Sequence, residues 1–203
     1  MQRIVQPEQL DELLVDDPRA VRARRDLRRI NAWMGNAGIM AGALRGSPPG
    51  RITELGAGDG EFMRQVGCRL GWETPVVLID RRPAGPAVIE AEAFAWLEHN
   101  ESDIIVTNLF LHHFDGELPA LLKLIAQRCR LFVACEPRRS GLGLAGVKLL
   151  PLIACAEVVR NDALISVRAG FAGNELSRLW PNGWDLHESP ARLFSHVFVA
   201  RRR

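Results

Sequence analysis

A length of 203 residues, 47% of them apolar, is enough for one sizeable hydrophobic core and slightly more than a minimal domain needs. The formal net charge of +2 gives no global pull towards nucleic acid or an acidic membrane surface. Cys68, Cys129, Cys135 and Cys155 are widely spaced in apolar stretches, without CxxC or metal-ligand spacing, and read as buried free thiols in a reducing compartment.

Residues 1–17 carry Glu8, Asp11, Glu12, Asp16 and Asp17 and no apolar core of signal-peptide type, so a cytoplasmic protein is expected. Residues 7–15 read as a short helix with Leu10, Leu13 and Leu14 on one face. Asp17-Pro18 is a start signal for a second helix, with Asp17 as N-cap and Pro18 in the first turn. Along it, Leu27, Ile30 and Met34 recur at helical spacing. Arg19, Arg22, Arg24, Arg25, Arg28 and Arg29 read as a solvated face, with the grip of an anionic substrate or headgroup as the alternative. Asn31-Ala32-Trp33-Met34 is either a lid over a ligand or core packing. Gly35 and Gly38 interrupt this helix, and Ser47-Pro48-Pro49-Gly50 is a break.

From residue 51 onward, short apolar runs alternate with helical stretches. The runs are 51–55, 76–80, 88–91, 103–107 and 131–135, and the helical stretches include 61–70, 94–99 and 118–128. That alternation predicts a parallel sheet covered on both faces. Residues 141–159 contain Lys148, Pro151 and Glu157 and make a poor membrane span, so stable membrane insertion is not expected. Within them, 141–153 read as a helix over the sheet, with a greasy acceptor wall or membrane contact as the alternative. Residues 184–189 and 194–201 read as two antiparallel strands joined by a turn containing Pro190. The organisation expected is an N-terminal helical cap, 1–49, followed by a catalytic domain, 50–203.

One segment carries most of the chemistry. The first strand ends in Glu54-Leu55-Gly56-Ala57-Gly58-Asp59-Gly60-Glu61-Phe62, where glycines let the backbone turn sharply and a ligand approach closely. A dinucleotide fingerprint wants its third glycine where this chain has Glu61, and a carboxylate there repels a pyrophosphate. S-adenosylmethionine has no phosphate and carries an ammonium and a sulfonium, which acidic residues suit. The next strand ends in Asp80, twenty positions after Gly60, where one carboxylate can satisfy two vicinal ribose hydroxyls.

On these residues the chain resembles the class I S-adenosylmethionine-dependent methyltransferases of small-molecule type. The segment from Glu54 to Gly60 is similar to the family's first motif and Asp80 to its second. Glu92-Ala93-Phe94 resembles the adenine-flanking loop. The stretch 103–114, ending Asn108-Leu109-Phe110-Leu111-His112-His113-Phe114, resembles the fourth strand and its loop, and Cys135-Glu136-Pro137 the end of the fifth. Arg81-Arg82 departs from the family, where an apolar neighbour of adenine is commoner; a guanidinium can still stack there.

The resemblance implies a Rossmann-like α/β fold: a seven-stranded, mainly parallel sheet of order 3-2-1-4-5-7-6 with its last strand antiparallel and helices on both faces. It implies S-adenosylmethionine as cofactor, with Glu54, Gly56, Ala57, Gly58, Asp59 and Gly60 at its amino-acid end. Asp80 then lies at the ribose, Arg81, Glu92, Ala93 and Phe94 around adenine, and Asn108 and Leu109 at the methyl. The acceptor expected is a small, fairly apolar molecule methylated at oxygen, a phenol, quinol or polyketide-like compound, with His113 before His112 as the base. No metal ligand is assigned, because no cluster has metal spacing. No nucleic-acid partner is expected, and a homodimer stays open. The rival readings are a catalytically silent binding module and an NAD-dependent oxidoreductase.

Overall fold

The structure, a computed structural model, describes residues 1–47 and 50–203; Pro48 and Pro49, the centre of the break at 47–50, lie outside the described residues. The elements run α1 (Gln9–Glu12), α2 (Pro18–Met34), α3 (Asn36–Leu44), β1 (Ile52–Leu55), α4 (Glu61–Leu70), β2 (Val76–Asp80), β3 (Ile89–Glu90), α5 (Ala93–His99), β4 (Ile104–Asn108), α6 (Leu118–Arg128), β5 (Leu131–Pro137), α7 (Gly141–Val147), α8 (Glu157–Ala169), α9 (Glu175–Leu179), β6 (Trp184–Ala191) and β7 (Ser195–Arg202), with 3-10 turns at Leu111–His113 and Leu150–Ile153.

The seven strands form one sheet in the order β3-β2-β1-β4-β5-β7-β6. β1 to β5 are parallel, and β7 runs antiparallel to both β5 and β6, as the resemblance implies. The apolar runs are continuous because both faces are covered. In β4, Ile105 joins the core beneath α5 and α6, while Ile104 and Val106 face α3 and α4. β5 divides in the same way: Phe132 and Ala134 on one side, Leu131, Val133 and Cys135 on the other. Burial at two-residue period on each face is what a strand's alternating side chains require.

Several boundaries differ from the sequence reading. The first helix shrinks to α1, and Leu14 is 70% exposed. α1 holds its place because Asp162 of α8 accepts from the Gln9 and Leu10 amides at 2.8 and 3.0 Å, a long-range cap. α2 starts as expected, Asp17 accepting from the Arg19 amide, and ends at Gly35 in the left-handed region. Gly38, however, lies inside α3, whose Ala37, Met40, Ala41 and Leu44 are buried against the sheet. Pro190 is not in the turn. It pairs with His196 inside β6, an edge strand that tolerates a residue without an N–H, and the chain reverses at 192–194. Cys129, Cys135 and Cys155 are buried free thiols, but Cys68 is exposed, on the outer side of α4. Among the described residues no helix is long and apolar enough to cross a membrane.

The segment 141–153 forms α7 and a 3-10 turn. Ser140 caps α7, accepting from the Gly143 amide at 3.0 Å. Leu150 packs into a small core with Ala23 of α2 and Val159 of α8, while Leu142, Leu149, Leu152 and Ile153 stay exposed. α2 is tied to this core by its buried Asp26, which accepts from the Ala156 amide at 2.9 Å.

Candidate functional site

The C-terminal edge of the parallel strands carries three adjoining cavities, in keeping with the rule that open α/β sheets bind ligands there. The glycine-rich turn after β1 separates the first two. Gly56, Gly58 and Gly60 all have positive φ, between +58° and +78°. At Gly56 a Cβ would stand 2.3 Å from Phe110 Cδ2, and at Gly60 it would meet Leu78 Cδ1 at 2.7 Å. Gly58 faces open space, so what approaches it is a ligand or solvent.

The first cavity, about 180 Å³, is lined by Glu54, Gly56, Ala57, Gly58, Asp59, Asn108 and Leu109 together with Arg28 and Asn31 of α2. Glu54 is 1% exposed, and its Oε2 has no hydrogen-bond partner. Burial, and after it the charges of Asp59 and Asp80, holds its carboxyl well above the usual carboxylate range. A cation placed beside such a group favours its charged form. Asp59 accepts from the Glu61 amide and pairs with Arg28. Glu61 itself is held down at about 2 by hydrogen bonds from Arg64 and Gln65, so this wall keeps an ionised carboxylate where a pyrophosphate would need none.

The second cavity, about 590 Å³, is lined by Gly56, Asp80, Arg81, Glu92, Ala93, Phe94, Leu109, Phe110 and His113, with Val5, Gln6 and Pro7 from the N-terminal segment. Asp80 accepts from the Gly58 amide at 2.8 Å through Oδ2 and from the Arg82 amide at 2.7 Å through Oδ1. Its orientation is fixed by backbone, leaving lone pairs on both oxygens. Arg81 and Glu92 face each other across 3.8 Å at the exposed rim.

A third cavity, about 240 Å³, opens beside them. Leu27, Ile30, Trp33 and Met34 of α2 form one wall, Gly143, Gly146, Val147 and Leu150 another, and Glu8, Asp11, His112 and His113 a polar end. Trp33 stacks on Phe194 with centroids 4.9 Å apart. Leu109, the first residue after β4, lines all three cavities and holds φ +54°. A branched-chain residue in that region is strained, and such strain is found where function imposes the backbone.

The loop after β4 rests on Glu136, which is fully buried at the end of β5. Its Oε1 accepts from the Phe110 and Leu111 amides at 3.1 and 2.9 Å, and its Oε2 meets His112 Nδ1 at 2.9 Å. Glu8 approaches His112 Nε2 from the other side at 3.4 Å. Burial works to lower the pKa of His112, but the two carboxylates outweigh it and raise it to about 9. His112 is therefore a charged group that positions the loop, with no free nitrogen. His113 is different. Burial and then the neighbouring His112 charge lower its pKa, so it is neutral at pH 7. It lines the second and third cavities, with Nδ1 3.5 Å from Asp11.

Of the residues singled out in the sequence, Glu54, Gly56, Ala57, Gly58, Asp59, Asn108 and Leu109 gather at the first cavity and Asp80, Arg81, Glu92, Ala93 and Phe94 at the second. Gly60 lines neither and serves the turn, its amide bonding the Ala57 carbonyl at 2.8 Å. Of the arginine run, Arg24 and Arg28 reach the first cavity, Arg19 and Arg29 pair locally with Asp17 and Asp26, and Arg22, Arg25, Arg28 and Arg29 lie on the exposed side. Sequence reasoning missed Glu8, Asp11 and Asn36. Asn36 of α3 donates to Asn108 Oδ1 at 3.1 Å and accepts from Ser195 at 2.6 Å, fixing the end of β4 from outside the sheet. None of the three lies in a motif, and only the fold brings them to the site.

No family model matches the sequence, and no curated protein matches it. Solved structures do. The plantazolicin methyltransferase BamL, in complex with a triazolic desmethylPZN analog and SAH, aligns over 92% of this chain and 92% of its own with a TM-score of 0.68 and 12% identity. The plantazolicin methyltransferase BpumL in complex with SAH aligns over 96% of this chain and 94% of its own, at a TM-score of 0.65 and 11% identity. The chain has the fold of these methyltransferases. The mitomycin 7-O-methyltransferase MmcR matches at a TM-score of 0.64 and 17% identity, over 95% of this chain and 60% of its own.

Proposed function

We propose that the chain is an S-adenosylmethionine-dependent methyltransferase acting on an oxygen of a small, fairly apolar acceptor such as a phenol, quinol or polyketide-like compound. The observation that carries this reading is the pair of acidic residues at either side of the glycine-rich turn. Glu54 is buried without a partner beside the first cavity and suits the ammonium of the donor. Asp80, oriented by two amides in the second cavity, suits the ribose. Similar structures crystallised with SAH support the same donor.

In this reading Gly56, Ala57, Gly58 and Asp59 hold the amino-acid end, Glu92, Ala93, Phe94 and Arg81 surround the adenine, and Asn108 and Leu109 face the methyl group. The acceptor occupies the third cavity, capped by residues from the first 49. Methyl transfer is an in-line displacement at carbon, so the site has only to align the acceptor, exclude water and remove a proton. His113, neutral and between donor and acceptor cavities, takes that proton, and His112, held between Glu8 and Glu136, positions it.

Calorimetric titration with S-adenosylmethionine, its demethylated product and NAD, repeated on Asp80→Ala, tests the donor. Binding of the first two, weakened in the variant, is the expected result. Binding of NAD alone, or of none, sinks the reading. A silent binding module is disfavoured by His113, which lies on two cavities and not buried away from them.

A further inference from the structure

The spacing along the chain offers no metal-ligand set, yet the fold builds one. Glu8 of the N-terminal segment meets His112 and His113 of the loop after β4, and one ligand atom from each lies within 4.8 Å of the others. Glu8 Oε1 and His112 Nε2 are 3.4 Å apart, against 2.9 Å for the hydrogen bond of His112 Nδ1 to Glu136. Two donors bound to one tetrahedral ion at about 2.0–2.1 Å stand roughly 3.3 Å apart.

The second nitrogens are arranged as in metal-bound imidazoles. Nδ1 of His112 is held by the Glu136 carboxylate, and Nδ1 of His113 faces the Asp11 carboxylate at 3.5 Å. Carboxylates in that position fix the tautomer, turn Nε2 towards an ion and strengthen it as a ligand. The charge balance points the same way. Three carboxylates, Glu8, Asp11 and Glu136, surround the two imidazoles, and no lysine or arginine lines this cavity among the described residues. Glu8 Oε1 also accepts from Ser166 Oγ, which fixes the carboxylate. The cluster opens onto the third cavity, which provides both an entry path and a free coordination position.

We propose that Glu8, His112 and His113 bind one divalent first-row transition ion, zinc being the probe of choice, with its open position facing the acceptor. Two imidazoles and one carboxylate favour such an ion over magnesium or calcium, which prefer all-oxygen sites. The ion replaces the proton that His112 otherwise holds between two carboxylates. Its chemical role rests on the methyltransferase reading of the cavity. An acceptor hydroxyl bound to the ion loses its proton to solvent by way of Asp11. The oxygen lone pair then forms the C–O bond, the C–S bond breaks, and its electron pair returns to sulfur. In this loaded form the cation performs the work that the free His113 imidazole does without it.

The test uses the full chain, stripped by a chelator and titrated calorimetrically with zinc alone and with magnesium alone, followed by cobalt(II) and its visible absorption. One zinc per chain, no magnesium, and a cobalt spectrum of tetrahedral intensity are expected. Glu8→Gln and His113→Ala should each weaken zinc by at least about tenfold while keeping the far-ultraviolet circular dichroism of the parent. Absence of zinc binding, or binding unchanged in both variants, overturns the proposal. S-adenosylmethionine titrated into the same samples separates the two readings: binding of the donor without zinc removes the metal site alone, and zinc without the donor upholds the site and removes the methyltransferase.

Discussion

The carboxylate of Asp80, at the end of β2, accepts a hydrogen bond from the backbone amide of Gly58, 2.8 Å away in the glycine-rich turn. Two segments 22 residues apart are thereby locked before any ligand arrives, so the site is organised in advance and little ordering cost falls on binding.

The three glycines of that turn differ in what surrounds them. Gly56→Ala places a methyl against Phe110 and strains the backbone, at a cost of about 2–5 kcal/mol. Gly58→Ala faces open space and costs only the left-handed penalty, about 1–2 kcal/mol. Thermal unfolding of the two variants without ligand should rank them in that order; equal losses would refute the packing argument.

Glu54→Gln should act in opposite directions on stability and binding. The empty protein keeps or gains stability, because a buried carboxyl without a partner is replaced by a neutral amide. S-adenosylmethionine affinity falls about 10- to 100-fold, the worth of a charge-assisted hydrogen bond. Denaturant unfolding and calorimetry on one sample measure both.

Glu136→Ala removes the acceptor of three backbone amides, those of Phe110, Leu111 and His112, and the partner of a buried imidazolium. Breaking a buried pair from one side costs about 3–5 kcal/mol. Glu136→Gln, which keeps one acceptor oxygen, should cost visibly less in the same urea titration.

Glu188 sets an acid limit on stability. Burial acts to raise its pKa, but hydrogen bonds from His196 and from the Ser177 and Leu176 amides prevail and lower it below 4.5. A carboxylate with a depressed folded pKa stabilises the fold above the ordinary value, and that contribution fades as pH falls through the depressed one. The urea midpoint should therefore decline as pH falls below the ordinary carboxylate value and through the depressed one, and Glu188→Gln should be less stable near neutrality with a shallower decline. An unchanged slope would show that other carboxylates set the limit.

His113→Gln is expected to lower kcat by about 10²- to 10⁴-fold in ion-free enzyme, the usual contribution of a positioned base, with donor affinity preserved. A proportional loss of donor binding would instead make His113 part of the cofactor wall.

The residues that line the first two cavities around the glycine-rich turn were legible because local sequence dictates them. Gly56 and Asp80 are each fixed by the strand that precedes them, and a strand, a glycine turn and a helix can be read from short windows. The strand runs were legible for the same reason, since burial on both faces leaves continuous apolar stretches. α3 was not: its glycines at 38 and 42 argue against a helix, and packing against α4, β5 and β7 offsets their propensity. The surroundings of His112 were hidden altogether. Glu8 lies 104 residues away in sequence and reaches it because Asp162 and Ser166 of α8 hold the N-terminal segment in place.

Among the described residues only Leu109 lines all three cavities; most of the wall of the third comes from α2, α7, α8 and the N-terminal segment, whereas the strand-and-turn motifs supply much of the other two. In the proposed reading, donor and acceptor recognition thus draw on largely different parts of the chain. Such a division allows the choice of acceptor to drift or be redesigned by randomising Ile30, Met34, Val147 and Val167, none of which lines the first two cavities, whereas a change at Leu27, Leu109, Asp11 or His113 would be felt on both sides.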